Sequence, residues 1–446
     1  MASTAGRPLE GVRVLDFSRV LSGPIAGRVL NDLGAEVVKV EPPDGDLTRF
    51  ALPKAGITSA YFAQQNTGKR NISLDLHRSE AVELLLELAT HFDVIIENSR
   101  PGVMDRLGLG YEAVHARNPK LVYASITGYG QTGVWADRRA FAVVVHAEMG
   151  LLEAGGRWRA DAAGSHDSHD SHEGEGHADA EARLSIEERR LAELDKERFH
   201  RAQDPMSHAD VYAGLHCSSA ILAALIQRGR TGTGQHIDVD MAESLLHVND
   251  FAHWDLAGAS DDPQMTRPSL APVYSPIVTT KDGHDLVLAG DPVANVNFVL
   301  YCKAMERTDL AELEIFSPEN RGQHRHVMLA LLHEWAATFD RVEDLQARLD
   351  AAGIVNGVVR SIGDVADTQW ARERGAIAEV DDRRGGTVRI PQAPWRFSDA
   401  ETGVRGVPAW RGEHNREVLQ EFLGLNEDAL EQLKANGTLS EREPKP

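Results

Sequence analysis

Residues 12–41 read VRVLDFSRVLSGPIAGRVLNDLGAEVVKVE. A short β-rich run, VRVLDF (12–17), is followed by PIAGRVLNDLGA (24–35), whose apolar residues have helical spacing. A second strand, EVVKVE (36–41), comes next, and Pro42 ends it. Nearly all-apolar strands that alternate with helices are typical of a parallel sheet covered on both faces. This stretch therefore predicts a βαβ unit at the start of an α/β domain.

The alternation of strands and helices continues to about residue 130. The later segments are NISLDL (71–76), SEAVELLLELATHF (79–92) with Ser79 as cap, DVIIEN (93–98), a helix over Met104–Ala116 and LVYASITGYG (121–130). The sequence thus predicts a doubly wound, Rossmann-like parallel sheet. Ligands of such sheets bind beyond the C-terminal ends of the strands.

The turn after the first strand indicates which ligand this sheet binds. A nicotinamide dinucleotide site requires G-x-G-x-x-G, whereas SRVLSGPIAG (18–27) has only Gly23 and Gly27. Glu41 stands where a ribose-binding acid would lie, but the incomplete glycine pattern argues against nicotinamide. The turn still presents backbone N–H groups at a helix N-terminus, which suits another ligand that carries phosphate or adenine.

Changes in composition and pattern along the sequence indicate the domains of the chain. We predict a large domain over residues 1–245, interrupted at about 157–203 by a polar, low-complexity insertion. A smaller α+β domain is predicted over 246–375, because LAPVYSPIVTTKDGHDLVLAG (270–290) has two strands around a turn. Residues 376–446 are predicted to return to the large domain.

The predicted insertion is rich in histidine and acidic residues. Its histidines include His166, His169, His172 and His177. A solvated surface segment is favoured over a metal site for such a tract, and no metal site is predicted.

Charge and cysteine content narrow the function classes. The chain of 446 residues carries a formal net charge of −21, which disfavours nucleic acid and anionic membranes as partners. The two cysteines, Cys217 and Cys302, predict a reducing, cytoplasmic location. The N-terminus has no signal-peptide pattern, and no apolar run approaches the ~20 residues of a membrane span.

One acid precedes an apolar segment that is rich in small residues. In SHADVYAGLHCSSAILAALIQRGRTGTGQ (207–235), Asp210 stands directly before a helix predicted over 211–228. The simplest interpretation makes Asp210 the N-cap of this helix, where it would stay ionised. An ionised, positioned carboxylate is also what a nucleophile for an activated acyl group requires. Spacing alone leaves both interpretations open.

Several ordered blocks resemble the family III CoA-transferases, the group of formyl-CoA transferase, carnitine CoA-transferase and α-methylacyl-CoA racemase. The blocks are VRVLDFSRVLSGPIAGRVLNDLGAEVVKVEPP (12–43), GKRNISLDL (68–76), DVIIENSRPGVMDRLGLGYEAV (93–114), ASITGYGQTG (124–133), ADVYAGLHCSSAILAALIQRGRTGTGQHIDVDM (209–241) and GEHNREVL (412–419). The resemblance implies an enzyme that moves CoA from an acyl-CoA to a small carboxylic acid, with coenzyme A as substrate and no permanently bound cofactor. It also implies an interlocked homodimer.

The resemblance further implies the site residues. Asp210, with Gly214 four residues on, corresponds to the nucleophile, which forms an aspartyl anhydride and then an aspartyl-CoA thioester. Contacts with CoA correspond to Arg19, Val20, Ser22, Leu74, His77, Asn98, Arg106, Leu107, Arg139 and Met241. The three arginines in this set would supply the local positive charge that CoA phosphates require. The glycine run that forms the family's oxyanion site has no clear match, which leaves that role unassigned.

Some positions depart from the family's pattern. Leu21 replaces a glutamine of formyl-CoA transferase, which argues against a formyl- or oxalyl-specific site. Phe141 stands where racemases carry a catalytic histidine, and Ala142 where many members have an acid, so His146 and Glu148 are candidates to support the nucleophile. The alternatives to CoA transfer are racemisation or isomerisation of an acyl-CoA, and acyl-CoA binding without catalysis.

Overall fold

The computed structural model describes residues 6–55, 58–152, 206–250, 252–258 and 275–441. The predicted insertion, with His166, His169, His172 and His177, lies outside these residues. The described chain forms two compact units. One unit holds residues up to Met149, those from 206 to Asp250 and those from Ala366 onward. The other unit holds 150–152, 252–258 and 275–365. The domain boundaries predicted at 245 and 375 stay predictions.

A parallel six-stranded sheet forms the centre of the first unit. Its strands are β1 (Arg13–Asp16), β2 (Glu36–Glu41), β5 (Arg70–Ser73), β6 (Val94–Glu97), β7 (Val122–Thr127) and β8 (His236–Asp240). Two short strands, β3 (Lys54–Ala55) and β4 (Thr58–Ser59), pair with each other. All residues of β6 and β7 are buried, as expected for a parallel sheet with helices on both faces. The prediction of a doubly wound α/β fold is confirmed.

The strand order places a crevice at the C-terminal ends of the two central strands. The order is β5-β2-β1-β6-β7-β8. From β1 the chain adds β2 and β5 on one side, and it then adds β6, β7 and β8 on the other side. β1 and β6 are hydrogen-bonded neighbours at the point where the order reverses. The turns that follow these two strands diverge there, which is where open α/β sheets bind ligands.

The described helices cover the sheet and build most of the second unit. They are α1 (Ser22–Asp32), α2 (Ala60–Asn66), α3 (Ser79–Ala89), α4 (Val103–Arg106), α5 (Tyr111–Arg117), α6 (Ala142–Glu148), α7 (His208–Thr231), α8 (Met241–His247), α9 (Ala252–Leu256), α10 (Asn295–Ala304), α11 (Arg325–Ala336), α12 (Val342–Ala351), α13 (Ile362–Ala366), α14 (Gln369–Arg374), α15 (Asn415–Leu423) and α16 (Glu427–Ala435). Short 3-10 turns lie at Leu47–Phe50, Thr308–Glu312 and Glu314–Phe316. Val418 and Leu419 of α15 share one core with Leu15 and Ile72 of the sheet.

Helix α7 is long and apolar, and within the described residues it is the one helix that could cross a membrane by length and composition. Buried core helices pass the same test. Its buried residues include Ala213, Cys217, Ile221 and Ala224, which repeat every three or four positions as a core-facing stripe does. This stripe packs on α1 and on β7.

The second unit has an antiparallel three-stranded sheet, β11 (Asn356–Val358), β10 (Asp285–Leu288) and β9 (Ile277–Thr279). The β9–β10 pair is the hairpin predicted within 270–290. The unit buries its own core, which includes Phe298, Tyr301 and Leu332. A further hairpin, β12 (Ile377–Asp381) and β13 (Thr387–Pro391), belongs to the first unit.

Two local predictions are wrong. The helix expected over Met104–Ala116 is two helices, α4 and α5, because Gly108 adopts a left-handed φ of 77° that ends the first. Ser79 does not cap α3. Arg78 is the N-cap and makes no side-chain cap bond, because the chain enters the helix through a turn from Asp75, whose carbonyl oxygen accepts from the Arg78 N–H.

Candidate active site

The turn after β1 is held by side chains from elsewhere in the unit. The side-chain amide of Asn98 accepts from the Arg19 N–H and donates to the Arg19 carbonyl oxygen, each at 2.8 Å. The Asp46 carboxylate accepts from the Val20 N–H at 3.2 Å. Val20 has a left-handed φ of 68°, which costs a non-glycine residue about 1–3 kcal/mol. The bonds to Arg19 and Val20 hold this strained turn in one shape.

Buried ion pairs lie beneath the turn. Lys39 pairs with Asp46 at 3.1 Å, and Lys69 pairs with Asp16 at 2.8 Å. Lys39 also donates to the Ser18 carbonyl oxygen at 2.6 Å. Burial alone would raise the pKa of Asp16 and of Asp46, but the ammonium groups and hydrogen bonds outweigh it, so both pKa values lie below the ordinary range. A fixed set of paired charges therefore lies beneath the turn.

Asp210 lies in the first turn of α7 and is not its N-cap. The helix begins at His208 with Ser207 as N-cap, so Asp210 is the third helical residue and the capping interpretation is wrong. Asp210 lines the same cavity as Ser22, the first residue of α1. Burial raises the pKa of Asp210 above the ordinary aspartate value, and the nearby polar groups of Ser22 oppose that rise. The result is a partly buried carboxylate near the N-terminus of α1.

A cavity of about 610 Å³ opens beside the turns that follow β1 and β6. The predicted site residues that line it are Arg19, Val20, Ser22, Asn98, Asp210 and Met241, and Leu21, Phe141 and Ala142 line it as well. Among the described residues around it, Asp210 is the one carboxylate, whereas Arg19, Arg100 and Arg138 are cationic. This surplus of positive charge suits an anionic ligand, even in an acidic protein.

Five other predicted CoA contacts are not among the lining residues. Leu74 is buried in the core and pairs through its backbone with Leu439, and Leu107 packs against the same core. His77, Arg106 and Arg139 are exposed. A contact from Leu74 would therefore come through its backbone, because the side chain is enclosed. The roles of these residues stay predictions.

The structure adds lining residues that the sequence analysis missed. Tyr61 comes from α2, a helix that was not predicted, and its pKa is raised by burial and then by the charges of Asp210 and Asp46. Ser99 and Arg100 directly follow Asn98. Because ligands of a parallel sheet bind beyond the C-terminal ends of its strands, the position of these two residues just after β6 could have identified them.

Arg138, the neighbour of the predicted Arg139, lines the cavity from the loop between β7 and α6. Its guanidinium lies 4.8 Å from the ring centre of Trp135 and 5.3 Å from that of Tyr129, and it pairs with Glu148. These contacts hold Arg138 at the rim of the cavity. Glu148, a candidate to support the nucleophile, is thereby paired with Arg138.

His146, the other candidate to support the nucleophile, contacts the helix that carries it. Its Nε2 accepts from the Ala209 N–H at 3.2 Å, which satisfies a donor that the first turn of α7 would otherwise leave unpaired. His146 is buried. It therefore supports the backbone immediately before Asp210.

A buried carboxyl group lies below the turn after β6. Glu97 accepts from the Ser99 N–H at 2.7 Å. The Ser125 Oγ lies 3.0 Å from Nε2 of His236, whose ring stacks on Tyr111. Burial raises the pKa of Glu97 to about 7, so this group exchanges a proton near neutral pH.

A metal centre is not formed by the part of the chain that the structure describes. No group of three or more His, Cys, Asp or Glu side chains is placed there to hold an ion. The histidine tract of the insertion lies outside that part, so its metal binding is untested.

Comparisons with known proteins agree with this geometry. The model of CoA-transferase family III matches residues 9–166 and 198–415. The chain belongs to CoA-transferase family III. It is 30% identical over 447 residues to a succinyl-CoA:glutarate CoA-transferase of Mus musculus, covering 98% of this chain and 92% of that protein. It is 30% identical over 451 residues to a formyl-CoA:oxalate CoA-transferase of Streptomyces avermitilis, covering 97% of this chain and 100% of that protein.

Solved structures share the fold. A CAIB/BAIF family protein from Brucella suis superposes with a TM-score of 0.73 at 28% identity, covering 94% of this chain and 100% of that chain. The predicted family is thus confirmed, and the protein is an enzyme that transfers CoA. Acyl-CoA substrates are consistent with this membership.

Proposed function

We propose that this family III enzyme moves CoA from an acyl-CoA donor to a carboxylic acid acceptor through covalent intermediates on Asp210. The observation that supports the proposal is the position of Asp210. It is the one acid among the described cavity residues, it is partly desolvated, and it shares the cavity with Ser22 at the N-terminus of α1. A carboxylate nucleophile must be charged, oriented and shielded from water.

The proposed steps conserve the energy of the thioester. One Asp210 oxygen attacks the thioester carbonyl carbon, the C–S bond breaks and CoA leaves as a thiolate, giving an aspartyl anhydride. The thiolate attacks the Asp210 carbonyl carbon, releasing the donor's carboxylate and forming an aspartyl-CoA thioester. The acceptor carboxylate then displaces CoA to form a second anhydride. Attack of the thiolate on the acceptor's acyl carbon gives the new acyl-CoA and restores Asp210.

The CoA-binding residues, the assembly and the location belong to the same proposal. Arg19, Val20, Ser22, Asn98 and Met241 would contact CoA from the cavity, and the five residues outside its lining would extend the contact. Exposed Leu215 and Ile226 on α7 support an interlocked homodimer in which a second chain covers them. The two cysteines, both unpaired and buried, support a cytoplasmic location.

Covalent trapping tests the proposed nucleophile. Purified enzyme is incubated with a panel of acyl-CoAs, quenched with hydroxylamine or borohydride, and digested for mass spectrometry. A hydroxamate or reduced side chain at Asp210, formed with some acyl-CoAs and not others, supports the mechanism and identifies the donor class. Asp210→Ala should abolish label and turnover while leaving CoA binding and the unfolding transition close to wild type.

The matched control is Asp428→Ala, because Asp428 also lies in the first turn of a helix, α16, but is exposed. This variant should label and turn over like wild type. An unlabelled Asp210 in protein that binds CoA, or retained turnover in Asp210→Ala, refutes the proposal. Loss of an α-deuterium label from the acyl-CoA in such protein would favour the racemase alternative.

A further inference from the structure

The loop that follows β2, residues 42–50, is folded around the carboxylate of Glu41. The Arg49 guanidinium donates to both oxygens of Glu41, at 2.7 and 2.8 Å, and the Asp46 N–H donates to Oε2 at 2.9 Å. Glu41 is buried, so its contacts are those of a residue that closes a loop rather than of a ribose-binding acid. A buried bidentate ion pair therefore fixes the shape of the 42–50 loop.

The 42–50 loop holds Asp46 against the turn after β1. The Asp46 carboxylate accepts from the Val20 N–H at 3.2 Å. Thr48 orients this carboxylate, donating to it through its N–H at 3.0 Å and its hydroxyl at 2.8 Å, and Lys39 adds the ion pair at 3.1 Å. Asp46 is fully buried. Because it accepts from several donors, its carboxylate cannot turn away from Val20 without losing other bonds at the same time.

The same loop contacts the side chain of Arg19. Arg19 Nη2 donates to the Gly45 carbonyl oxygen at 2.8 Å and lies 3.8 Å from the Asp44 carboxylate. The loop thus holds the turn at two consecutive residues, through the side chain of Arg19 and through the backbone of Val20. Both of these residues line the cavity. A displacement of the loop would therefore change the cavity wall at both positions.

Two unfavourable features show that the turn has this shape only because its surroundings impose it. Val20 is β-branched, and its left-handed φ of 68° is an outlier for such a residue. The Nε of Arg19 is buried and has no hydrogen-bond partner among the described residues, which costs free energy. Features of this kind persist where the fold over-determines them, and they are concentrated at ligand sites.

We propose that Asp46 is a positioning residue for CoA binding, which holds Val20 in its left-handed conformation and so keeps the turn in the shape that presents Arg19 to the cavity. The inference rests on the proposed function, because it places CoA against this turn. Without the Asp46 acceptor, the binding-competent shape becomes a minor population. The apparent Kd for CoA then rises by the inverse of that population, whereas saturating CoA restores the shape. The role therefore predicts weaker binding with little change in kcat.

The experiment has to separate the bond to Val20 from the ion pair with Lys39. Two double variants share Lys39→Met and so lack the ion pair. In Lys39→Met/Asp46→Asn the amide oxygen still accepts from Val20, whereas in Lys39→Met/Asp46→Leu a side chain of similar size accepts nothing. Titration calorimetry with free CoA should give a Kd about tenfold higher for the second variant than for the first. The KM for acyl-CoA should show the same ratio, with the two kcat values within about twofold of each other.

Val20→Gly distinguishes positioning from a merely structural role. Glycine adopts a positive φ without strain, so a turn with glycine at this position no longer depends on the Asp46 acceptor. When Val20→Gly is added to both double variants, the ratio of their Kd values should fall to within about twofold, since the two sites are coupled. A structural role of Asp46 elsewhere in the fold would leave the ratio unchanged.

Asp282→Ala is the matched control, since Asp282 accepts from the backbone N–H of Val342 at 3.2 Å in the second unit. It should bind CoA as the wild type does. Equal Kd values for the two double variants, or a ratio that Val20→Gly leaves unchanged, would overturn the inference. If Lys39→Met/Asp46→Leu does not fold, Lys39→Met/Asp46→Ala takes its place with the same expected ratio. Failure of Asp210 to label in wild-type enzyme refutes the proposed transfer mechanism, whereas the ratio of Kd values decides the role of Asp46.

Discussion

A Cβ atom added to Gly214 would lie 2.5 Å from the Ser22 carbonyl oxygen. Helices α1 and α7 meet at this point, so the contact sets the distance between the N-terminus of α1 and the turn that carries Asp210. Gly214→Ala must push the helices apart. We expect it to lower the free energy of unfolding by about 1–3 kcal/mol and to lower kcat by about 10- to 100-fold, because a small displacement separates the reacting groups. Denaturant unfolding and steady-state kinetics measure the two effects.

Gly229→Ala is the control for this prediction. Gly229 lies in the same helix, but nothing lies within 4 Å of an added Cβ. Alanine there should stabilise the protein by up to about 1 kcal/mol through helix propensity and leave kcat unchanged. A Gly214→Ala enzyme with full activity would show that the helix contact does not control the site.

The sequence identified the elements of the fold but not the contacts that shape the site. Apolar strands alternating with helices were enough to predict the sheet, and EVVKVE matches β2 residue for residue. Lys39 in that strand gave no sign of its partner, because Asp46 lies in a loop that only the folded chain brings to it. Asp210 was found through its motif, whereas Ser22, which lines the same cavity, comes from a helix nearly 190 positions earlier. Tyr61 was missed because its short helix shows no clear periodicity.

The pH dependence of activity should report on Asp210. Only the ionised carboxylate attacks, and burial raises its pKa, so kcat/KM should fall on the acidic side with a midpoint above the ordinary aspartate value of about 3.9. A pH–rate profile for an acyl-CoA that labels Asp210 measures the midpoint. Glu97→Gln should be profiled in parallel, since Glu97 titrates near 7. A midpoint in both enzymes at or below the ordinary value would refute the desolvation argument.

Removal of Lys39 should destabilise the protein far more than removal of a surface lysine. Lys39→Met leaves Asp46 as an unpaired buried carboxylate, and such changes cost about 3–5 kcal/mol. Unfolding in urea at neutral pH measures the loss. The control Lys281→Met breaks an exposed pair with Asp340 and should cost no more than about 1 kcal/mol. Adding Asp46→Asn to Lys39→Met should recover part of the loss in unfolding free energy. Equal losses in Lys39→Met and Lys281→Met would contradict the prediction that the buried pair stabilises the protein more than the exposed pair.

Glu97 should make stability decrease as pH rises towards neutrality. Its folded-state pKa of about 7 lies above the unfolded value of about 4.3, so the folded state binds the proton more tightly. The resulting stabilisation is complete below the unfolded value and is lost as pH rises through the folded value. Glu97→Gln mimics the protonated carboxyl group, so its free energy of unfolding relative to wild type should increase between pH 5 and 8, by up to about 3 kcal/mol. Urea unfolding at several pH values measures the difference, with exposed Glu431→Gln as a control expected to stay flat. A pH-independent difference for Glu97→Gln would show that the ionised carboxylate is tolerated in the folded enzyme.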